Sequence, residues 1–255
     1  MTHPHLSAEW IFFDIGGTLL EIYRPLAELV HDYLAREGYQ VPAEPLYQAV
    51  RTTVASLPTR HPSYTSLEAN RDWWMHLYEG TLNLGIGTQE IPQLLLATVR
   101  DALWEQHRRG DNLRVYADAE GVVETLSERG FRLGVISNWD DTLPPILDRF
   151  GLLTAFELLI VSSDLGLEKP DPTIFQHALE RAGIDPAASI HIGDDWQCDV
   201  VGAAQTGIQP IWIDRGVRKV VVQSAPPDQT ELLIKPVTIT TLSTVTRFLI
   251  KSQAV

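Results

Sequence analysis

Four polar segments of the chain carry residue types that suit phosphate and metal chemistry. The first is Asp14-Ile15-Gly16-Gly17-Thr18, which directly follows the apolar run Trp10–Phe13. A polar turn after a buried strand lies at the sheet edge where α/β proteins bind ligands. A structural turn, with Asp14 hydrogen-bonded to the backbone, also fits this segment when it is taken alone.

Two further segments supply a hydroxyl and an ammonium. Ser137-Asn138 ends an apolar run, and Trp139-Asp140 is expected to open a helix, so the hydroxyl and nearby N–H groups can bind an anion. Lys169 precedes Pro170, a position biased toward extended backbone, which can aim the ammonium inward. Taken alone, Ser-Asn is more often a cap or a turn, and a loop lysine is more often solvated than catalytic.

The fourth segment contains three carboxylates, Asp194, Asp195 and Asp199, within six residues after the apolar run Ser189–Ile192. Carboxylates this close repel one another unless a cation is bound. Mg²⁺ commonly takes one or two carboxylates together with phosphate oxygens. The segment therefore predicts a magnesium site, with an acidic turn and a helix cap as the alternative.

Short strands alternate with helices outside residues 22–111, a rhythm that predicts a parallel sheet with helices on both faces. The predicted strands are Trp10–Phe13, Arg132–Ile136, Leu158–Val161, Ser189–Ile192 and Ile208–Ile213, and the predicted helices are Ala119–Glu128, Leu143–Phe150, Thr173–Ala182 and Asp199–Thr206. Asp118, Asp171 and Asp199 are placed as helix caps. A surface loop over Gln223–Gln229 and a short terminal strand and helix complete the pattern.

Residues 22–111 instead show apolar positions at helical spacing and no convincing strand. The expected helices are Leu26–Leu34, Leu46–Leu57, Leu67–Leu82 and Ile91–His107, with prolines near their starts and turns. This segment reads as an all-helical insertion after the first strand, and we expect the chain to return to the sheet near Val115.

Composition limits the partners. The formal net charge is −13 and no block of Lys and Arg is present, so nucleic acid and anionic membranes are poor partners. No run reaches the length of a membrane span, and no signal peptide is evident. The single cysteine, Cys198, fits a reducing compartment. We expect a cytoplasmic monomer or homodimer.

The order of the four segments is more specific than any one of them. Val-Ile-Ser-Asn-Trp-Asp, Lys-Pro-Asp-Pro-Thr-Ile-Phe and His-Ile-Gly-Asp-Asp-Trp-Gln-Cys-Asp follow the first aspartate in the order of the haloacid dehalogenase-like hydrolases. The chain resembles their helical-capped branch from about Trp10 to Asp214. Within that branch it resembles the subgroup around haloacid dehalogenase-like hydrolase domain-containing protein three, which shares the Trp-Trp pair. The first segment also resembles the phosphate loop of actin-like sugar kinases, but nothing downstream supplies their second phosphate loop or adenosine site.

The resemblance implies a fold and a set of roles. The fold class is α/β, with a three-layer Rossmann-like parallel sheet core over residues 1–21 and 112–255 and an inserted all-helical cap over residues 22–111. The implied activity is Mg²⁺-dependent hydrolysis of a small phosphorylated metabolite through an aspartyl-phosphate. The implied catalytic residues are Asp14 and Lys169; the implied phosphate contacts are Gly17, Thr18, Ser137, Asn138 and Lys169; the implied metal contacts are Asp14, the Gly16 carbonyl and Asp194, supported by Asp195 and Asp199.

Position 16 departs from the family pattern. Family phosphatases usually carry a second Asp there, which acts as acid for the leaving group and base for water, whereas this chain has Gly16. The absence of this acid predicts slow turnover, a low-pKa leaving group or another donor, for which Glu21, Asp195, His61 and His76 are candidates. If only the acid is missing, restoring it by Gly16→Asp should raise turnover.

The family members that lack this Asp include dehalogenases, phosphonate-cleaving enzymes and some phosphatases. A metal-free dehalogenase needs no leaving-group acid, but the retained aspartates favour metal and phosphoryl chemistry. Phosphonate-cleaving members need a cap lysine, and residues 22–111 contain none. A non-catalytic phosphate-binding protein is the remaining alternative. Substrate selection is expected from cap residues, for which the candidates are Arg71, Trp73, Trp74, His76 and the loop over residues 60–64, although aromatic residues at helical spacing are also typical of a core.

Overall fold

The computed structural model describes residues 6–57, 67–216, 232 and 234–251 of the chain. Its strands are β1 (Leu6–Ala8), β2 (Trp10–Phe13), β3 (Leu20–Ile22), β4 (Leu113–Val115), β5 (Arg132–Ser137), β6 (Leu158–Val161), β7 (Ser189–Gly193), β8 (Gln209–Ile213), β9 (Val237–Ile239) and β10 (Leu249–Lys251). The five predicted strands correspond to β2, β5, β6, β7 and β8, and each agrees with the observed strand to within one residue at either end. Their agreement follows from burial along most of each strand, which makes each one a nearly continuous apolar run.

The main sheet has six strands in the order β6-β5-β2-β7-β8-β9. Every neighbouring pair in this sheet is parallel. The central strand β2 lies between β5 and β7, so the chain builds outward on one side and then continues on the other. The point where the direction of winding reverses is the place where open α/β sheets bind ligands.

Helices follow the strands of this sheet. They are α5 (Glu120–Glu128), α6 (Leu143–Arg149), α7 (Ser162–Leu165), α8 (Pro172–Ala182), α9 (Gly202–Gln205) and α10 (Val245–Phe248), with a π-helix over Trp196–Val201. On one face of the sheet, Phe12 and Ile136 belong to a buried cluster with residues of α8 and α9. Side chains alternate across a strand, so Ile11 and Phe13 face the opposite layer. The predicted three-layer, Rossmann-like parallel core is confirmed.

The inserted segment is helical, as predicted. It contains α1 (Leu26–Arg36), α2 (Ala43–Ser56), α3 (Leu67–Gly85) and α4 (Gln93–Arg109). Pro25, Pro42 and Pro92 are the N-cap residues of α1, α2 and α4. The four helices enclose their own apolar cluster. Contacts divide the chain into this compact unit, Ile22–Leu113, and a second unit formed by the residues on either side.

The expected return of the chain to the main sheet near Val115 is wrong. Strand β4 ends at Val115 but pairs with β3 in a separate two-stranded sheet. The next strand of the main sheet is β5. A three-residue strand carries too short a pattern to indicate its partner, because pairing depends on tertiary contacts rather than on local propensity.

Three predicted helix starts also differ from the structure. Asp118 does not cap α5, because its carboxylate accepts hydrogen bonds from Arg215 and Thr241 instead. Asp199 lies inside the π-helix, which Asp195 caps through the Cys198 amide. Trp139 and Asp140 lie in a loop, and α6 begins only at Leu143. Asp171 does cap α8, through the amide of Thr173.

The predicted loop over Gln223–Gln229 lies outside the described residues. The terminal strand and helix correspond to β9 and α10. None of the helices that the structure describes combines the length and the apolar character needed to cross a bilayer.

Candidate active site

The predicted site residues meet at the carboxyl ends of the central strands. Asp14 directly follows β2, Ser137 ends β5 and Asp194 directly follows β7. Because β2 pairs with both β5 and β7, these strand ends are adjacent. The parallel register thus brings together side chains that are more than 100 residues apart in sequence.

Asp14 is buried and accepts three side-chain hydrogen bonds. Its Oδ1 accepts from Lys169 Nζ at 2.8 Å and from Ser137 Oγ at 3.2 Å, and its Oδ2 accepts from Thr18 Oγ1 at 3.3 Å. Its own amide donates to the Ile192 carbonyl of β7. The carboxylate therefore has a fixed orientation, with most of its donors on one oxygen.

Lys169 joins two carboxylates. Lys169 is buried, with 3% of its surface exposed. Besides its contact with Asp14, its ammonium donates to Asp199 Oδ1 at 2.6 Å. Burial alone lowers the pKa of Lys169, but the charges of Asp14 and Asp199 outweigh this effect and raise its pKa above the usual value. Burial likewise raises the pKa of Asp199, whereas the Lys169 ammonium and a hydrogen bond from His191 hold that pKa well below its usual range. Both groups are therefore charged at neutral pH.

His191 completes the surroundings of Asp199 and was not identified from the sequence. It lies in the middle of β7, fully buried, with Nε2 3.1 Å from Asp199 Oδ1. An ionised carboxylate only accepts, so Nε2 carries the proton. Burial lowers the pKa of His191 below its usual value, although the hydrogen bond to Asp199 acts in the opposite direction.

Asp14, Asp194 and Asp199 form a buried acidic cluster, in which one carboxylate oxygen of each lies within 4.8 Å of the others. Lys169 is the cation that contacts this cluster among the described residues, so negative charge remains in excess. An oxygen donor set of this charge fits Mg²⁺. Asp199 accepts from Lys169 and His191 at Oδ1 and from the Asp195 amide at Oδ2, so both of its oxygens have protein donors.

Two residues outside the predicted set position the acidic loop. Trp212, on β8, donates from Nε1 to the Asp194 carbonyl at 3.1 Å. Its ring packs edge-on against Trp196, with the ring centroids 5.0 Å apart. Asp195 Oδ1 accepts from the Cys198 amide, so this carboxylate caps the π-helix. Burial raises the pKa of the Cys198 thiol, which keeps it protonated and unreactive.

Several predicted phosphate contacts have structural partners in this geometry. Both ends of the Asn138 amide are engaged by the main chain of Lys169, at 2.9 and 2.8 Å. The Gly17 amide donates to Leu20, and the Thr18 amide donates to Ile15. Asn138 therefore positions the catalytic lysine, and the amides of the Asp14 loop stabilise the turn itself. Phosphate binding by these three residues remains a prediction.

The structure describes the surroundings of some of the residues considered as replacements for the acid missing at position 16. Glu21 accepts a hydrogen bond from Arg114 at 2.7 Å. His76 lies on α3 in the helical unit, where Nδ1 contacts the Asp72 carbonyl. His61 and the loop over residues 60–64 lie outside the described residues. At position 16, an added Cβ would lie 3.2 Å from the Trp139 ring, so the space beside Gly16 is filled.

Arg215 is a further residue that sequence patterns did not reveal. Its guanidinium donates to the Gly17 and Thr18 carbonyls and to Asp118. It therefore holds the backbone that follows Asp14 from nearly 200 positions away in sequence.

The sequence matches a known protein family along most of its length. The model of the haloacid dehalogenase-like hydrolases matches residues 8–207, well over half of the chain. The chain belongs to this family. A mouse relative, haloacid dehalogenase-like hydrolase domain-containing protein 3, is 30% identical over 82% of this chain and 82% of its own length. Both the resemblance to the family and that to this subgroup are confirmed.

Two other proteins to which the chain is similar differ from each other in the activity that their names give. The glyceraldehyde 3-phosphate phosphatase of Methanopyrus kandleri is 27% identical over 68% of this chain and 67% of its own length. The crystal structure of a dehalogenase is 25% identical, with a TM-score of 0.63 over 97% of this chain and 98% of that one. Membership therefore establishes a hydrolase of this family, and the reaction depends on the site.

Proposed function

We propose that the chain is a Mg²⁺-dependent phosphatase that hydrolyses a small phosphate monoester through an aspartyl-phosphate on Asp14. The observation that carries this proposal is the placement of Lys169 between Asp14 and Asp199, beside the Asp194 carboxylate. This arrangement provides a nucleophile, a fixed cation and an acidic site for a metal at one end of the sheet.

Asp14 supplies the nucleophile. A carboxylate oxygen of Asp14 attacks phosphorus, the bond to the leaving oxygen breaks, and water later attacks the aspartyl-phosphate to release inorganic phosphate. Lys169 offsets the charge of Asp14 and of the phosphate, while the Ser137 hydroxyl, 3.2 Å from Asp14, is placed to hold a phosphate oxygen. Asp199 and His191 keep the ammonium of Lys169 in position.

Asp14 and Asp194, together with the Gly16 carbonyl, would hold Mg²⁺. When bound, the metal supplies charge neutralisation for the phosphate and the nucleophile. Removal of Lys169 or Asp194 therefore affects different parts of the site: the first removes the resident cation, and the second removes a metal ligand.

Dehalogenation of a 2-haloacid is the second candidate reaction. Gly16 favours it, because displacement of a halide requires no leaving-group acid, and one similar solved structure is a dehalogenase. The buried aspartate cluster and the relationship to a glyceraldehyde 3-phosphate phosphatase support the phosphatase instead. We propose a small phosphorylated metabolite as substrate and a monomer or homodimer in the cytoplasm, where the lone Cys198 would remain reduced.

The full chain is tested against phosphate esters, including p-nitrophenyl phosphate, and against 2-haloacids, each with Mg²⁺ or with EDTA. We expect hydrolysis of the phosphate esters that EDTA removes and added Mg²⁺ restores. Asp14→Asn should abolish it, because an amide cannot form the acyl-phosphate.

Three outcomes contradict the proposal. EDTA-insensitive hydrolysis excludes the metal role, halide release without phosphate release favours the dehalogenase, and phosphate binding without turnover indicates a binding protein. Asp164→Asn in α7 serves as the matched control, because Asp164 lies outside the acidic cluster and undergoes the same chemical change.

A further inference from the structure

The space beside Gly16 is occupied by the indole of Trp139. A Cβ at position 16 would lie 3.2 Å from Cζ3 and 3.9 Å from Cε3 of this ring. The first distance is tighter than an ordinary van der Waals contact, so any side chain at position 16 requires the ring to shift by a few tenths of an ångström. Residues 16 and 139 therefore form a matched pair, a small residue against a large one.

Trp139 is held at both its backbone and its ring. Its amide donates to the hydroxyl of the buried Ser162 at 3.0 Å, and that hydroxyl donates to the Trp139 carbonyl at 2.9 Å. The indole Nε1 donates to Thr142 Oγ1 at 3.1 Å. Thr142 is itself buried and hydrogen-bonded to Asp140. Displacement of the ring would disturb its hydrogen bond to Thr142, while the two hydrogen bonds with Ser162 fix the backbone that carries the ring.

The other side-chain donors around Asp14 are already directed at carboxylates. The hydroxyls of Thr18 and Ser137 point to Asp14, and the ammonium of Lys169 is divided between Asp14 and Asp199. Apart from its chain neighbours, the described residue with atoms within 4 Å of a Cβ at position 16 is Trp139, so no carboxylate or imidazole among the described residues lies that close. The contacts of Asp14 serve attack on phosphorus rather than protonation of the leaving group.

We infer that the site is specific for phosphoryl donors with acidic leaving groups, such as aryl or acyl phosphates, because Trp139 fills the space of a proton donor at position 16. This inference rests on the proposed phosphatase function. When Asp14 attacks, the electron pair of the broken bond stays on the leaving oxygen, which departs as an anion and takes a proton from water afterwards. Alkyl phosphates, whose alkoxides are poor leaving groups, are poor substrates for the same reason.

The principal experiment uses the wild-type chain with Mg²⁺ and a series of phosphate monoesters, from p-nitrophenyl through substituted phenyl to ethyl phosphate. The measured quantity is kcat/KM, which reports release of the leaving group and not the later hydrolysis of the aspartyl-phosphate. General acid catalysis contributes about 10²–10⁴-fold, so we expect kcat/KM to fall by at least about 100-fold along the series. A change of less than about tenfold would show that another group donates the proton and would overturn the inference.

Variants test the matched pair itself. Gly16→Asp alone should lower kcat/KM for every ester, because its side chain meets the Trp139 ring. Gly16→Asp combined with Trp139→Ala should reduce the dependence on the leaving group compared with Trp139→Ala alone. Gly121→Asp is the matched control, because a Cβ at this exposed glycine meets no atom within 4 Å.

A higher kcat/KM of Gly16→Asp toward ethyl phosphate, with Trp139 intact, would contradict the spatial argument. Failure of the wild type to hydrolyse even p-nitrophenyl phosphate or acetyl phosphate, with no phosphate bound to Asp14, would instead refute the proposed function and this inference with it. The wild-type series does not depend on the folding of any variant.

Discussion

Lys169 illustrates how a single residue stabilises a site that would otherwise repel itself. Its ammonium lies 2.8 Å from Asp14 and 2.6 Å from Asp199, and all three side chains are buried. Taking one partner out of a buried ionic group leaves charge without compensation, which costs far more than loss of a surface pair. Lys169 therefore has a structural role in addition to the catalytic role proposed for it.

Lys169→Met should abolish phosphatase activity and lower the free energy of unfolding by about 3–5 kcal/mol, because Asp14 and Asp199 lose their shared cation. Urea denaturation measures the change. Lys169→Met combined with Asp199→Asn should recover part of the stability without recovering activity. A stability of the single variant within about 0.5 kcal/mol of wild type would contradict this account.

His191 makes the free energy of unfolding depend on pH. Burial lowers its pKa in the folded state below the value of about 6.5 expected for the unfolded chain. The unfolded state therefore binds more protons as the pH falls below about 6.5, and the stability that is present above this pH is progressively lost. We expect the free energy of unfolding to decrease between about pH 7 and pH 5.

His191→Gln should weaken this dependence, whereas His177→Gln, a half-buried histidine of α8 outside the Asp199 contacts, should retain it. Urea titrations at several pH values provide the measurement. Equal pH dependence in wild type and His191→Gln would exclude His191 as its source.

At the scale of elements, β7 and the π-helix approach each other too closely for any residue but glycine at position 193. A Cβ there would lie 2.2 Å from Cγ of Asp199, well inside van der Waals contact. The π-helix directs Asp199 back toward the strand, where it contacts both Lys169 and His191. Gly193 therefore allows the π-helix to lie close to β7, where Asp199 can hold the ammonium of Lys169 in position.

Gly193→Ala should displace Asp199, destabilise the fold by about 1–3 kcal/mol and reduce phosphatase activity. Near-wild-type stability and activity would show that Asp199 can shift without consequence. Gly121→Ala is the comparison, since its Cβ meets no atom within 4 Å and helical Gly→Ala changes are commonly stabilising by about 0.4–1 kcal/mol.

At the scale of the whole chain, Arg215 connects segments that are distant in sequence. Its guanidinium donates hydrogen bonds to the Gly17 and Thr18 carbonyls and to the Asp118 carboxylate. Asp118 also accepts a hydrogen bond from Thr241. The guanidinium lies 3.6 Å from the centroid of the Tyr116 ring. Burial alone raises the pKa of Asp118, but Arg215 and Thr241 hold it below its usual value. The loop that carries Asp14 is thus held by residues that follow β4, β8 and β9.

Arg215→Ala should speed amide hydrogen exchange over residues 17–20 and lower the free energy of unfolding by about 1–3 kcal/mol, because Asp118 and two carbonyls each lose the guanidinium donor. Arg215→Lys retains the charge but not the planar fork, and it should recover only part of the effect. Unchanged exchange in both variants would show that the Asp14 loop does not depend on this network.

Sequence alone determined the alternation of buried strands and helices, the helical insertion and the identity of Asp14, Ser137, Lys169 and the acidic segment. These features were readable because burial and helical spacing leave patterns within a few residues, and because ligand residues follow strands directly. The five main strands were located to within one residue for the same reason.

Only the tertiary structure decided which side chains fill the spaces around these residues. Four contacts around the site leave no periodic pattern in the sequence near either partner. They are Trp139 with Gly16, His191 with Asp199, Asn138 with Lys169, and Arg215 with the Asp14 loop. The pairing of β3 with β4 belongs to the same class. Their formation depends on close packing between segments joined by the parallel sheet, and packing is decided by three-dimensional shape rather than by neighbours in sequence.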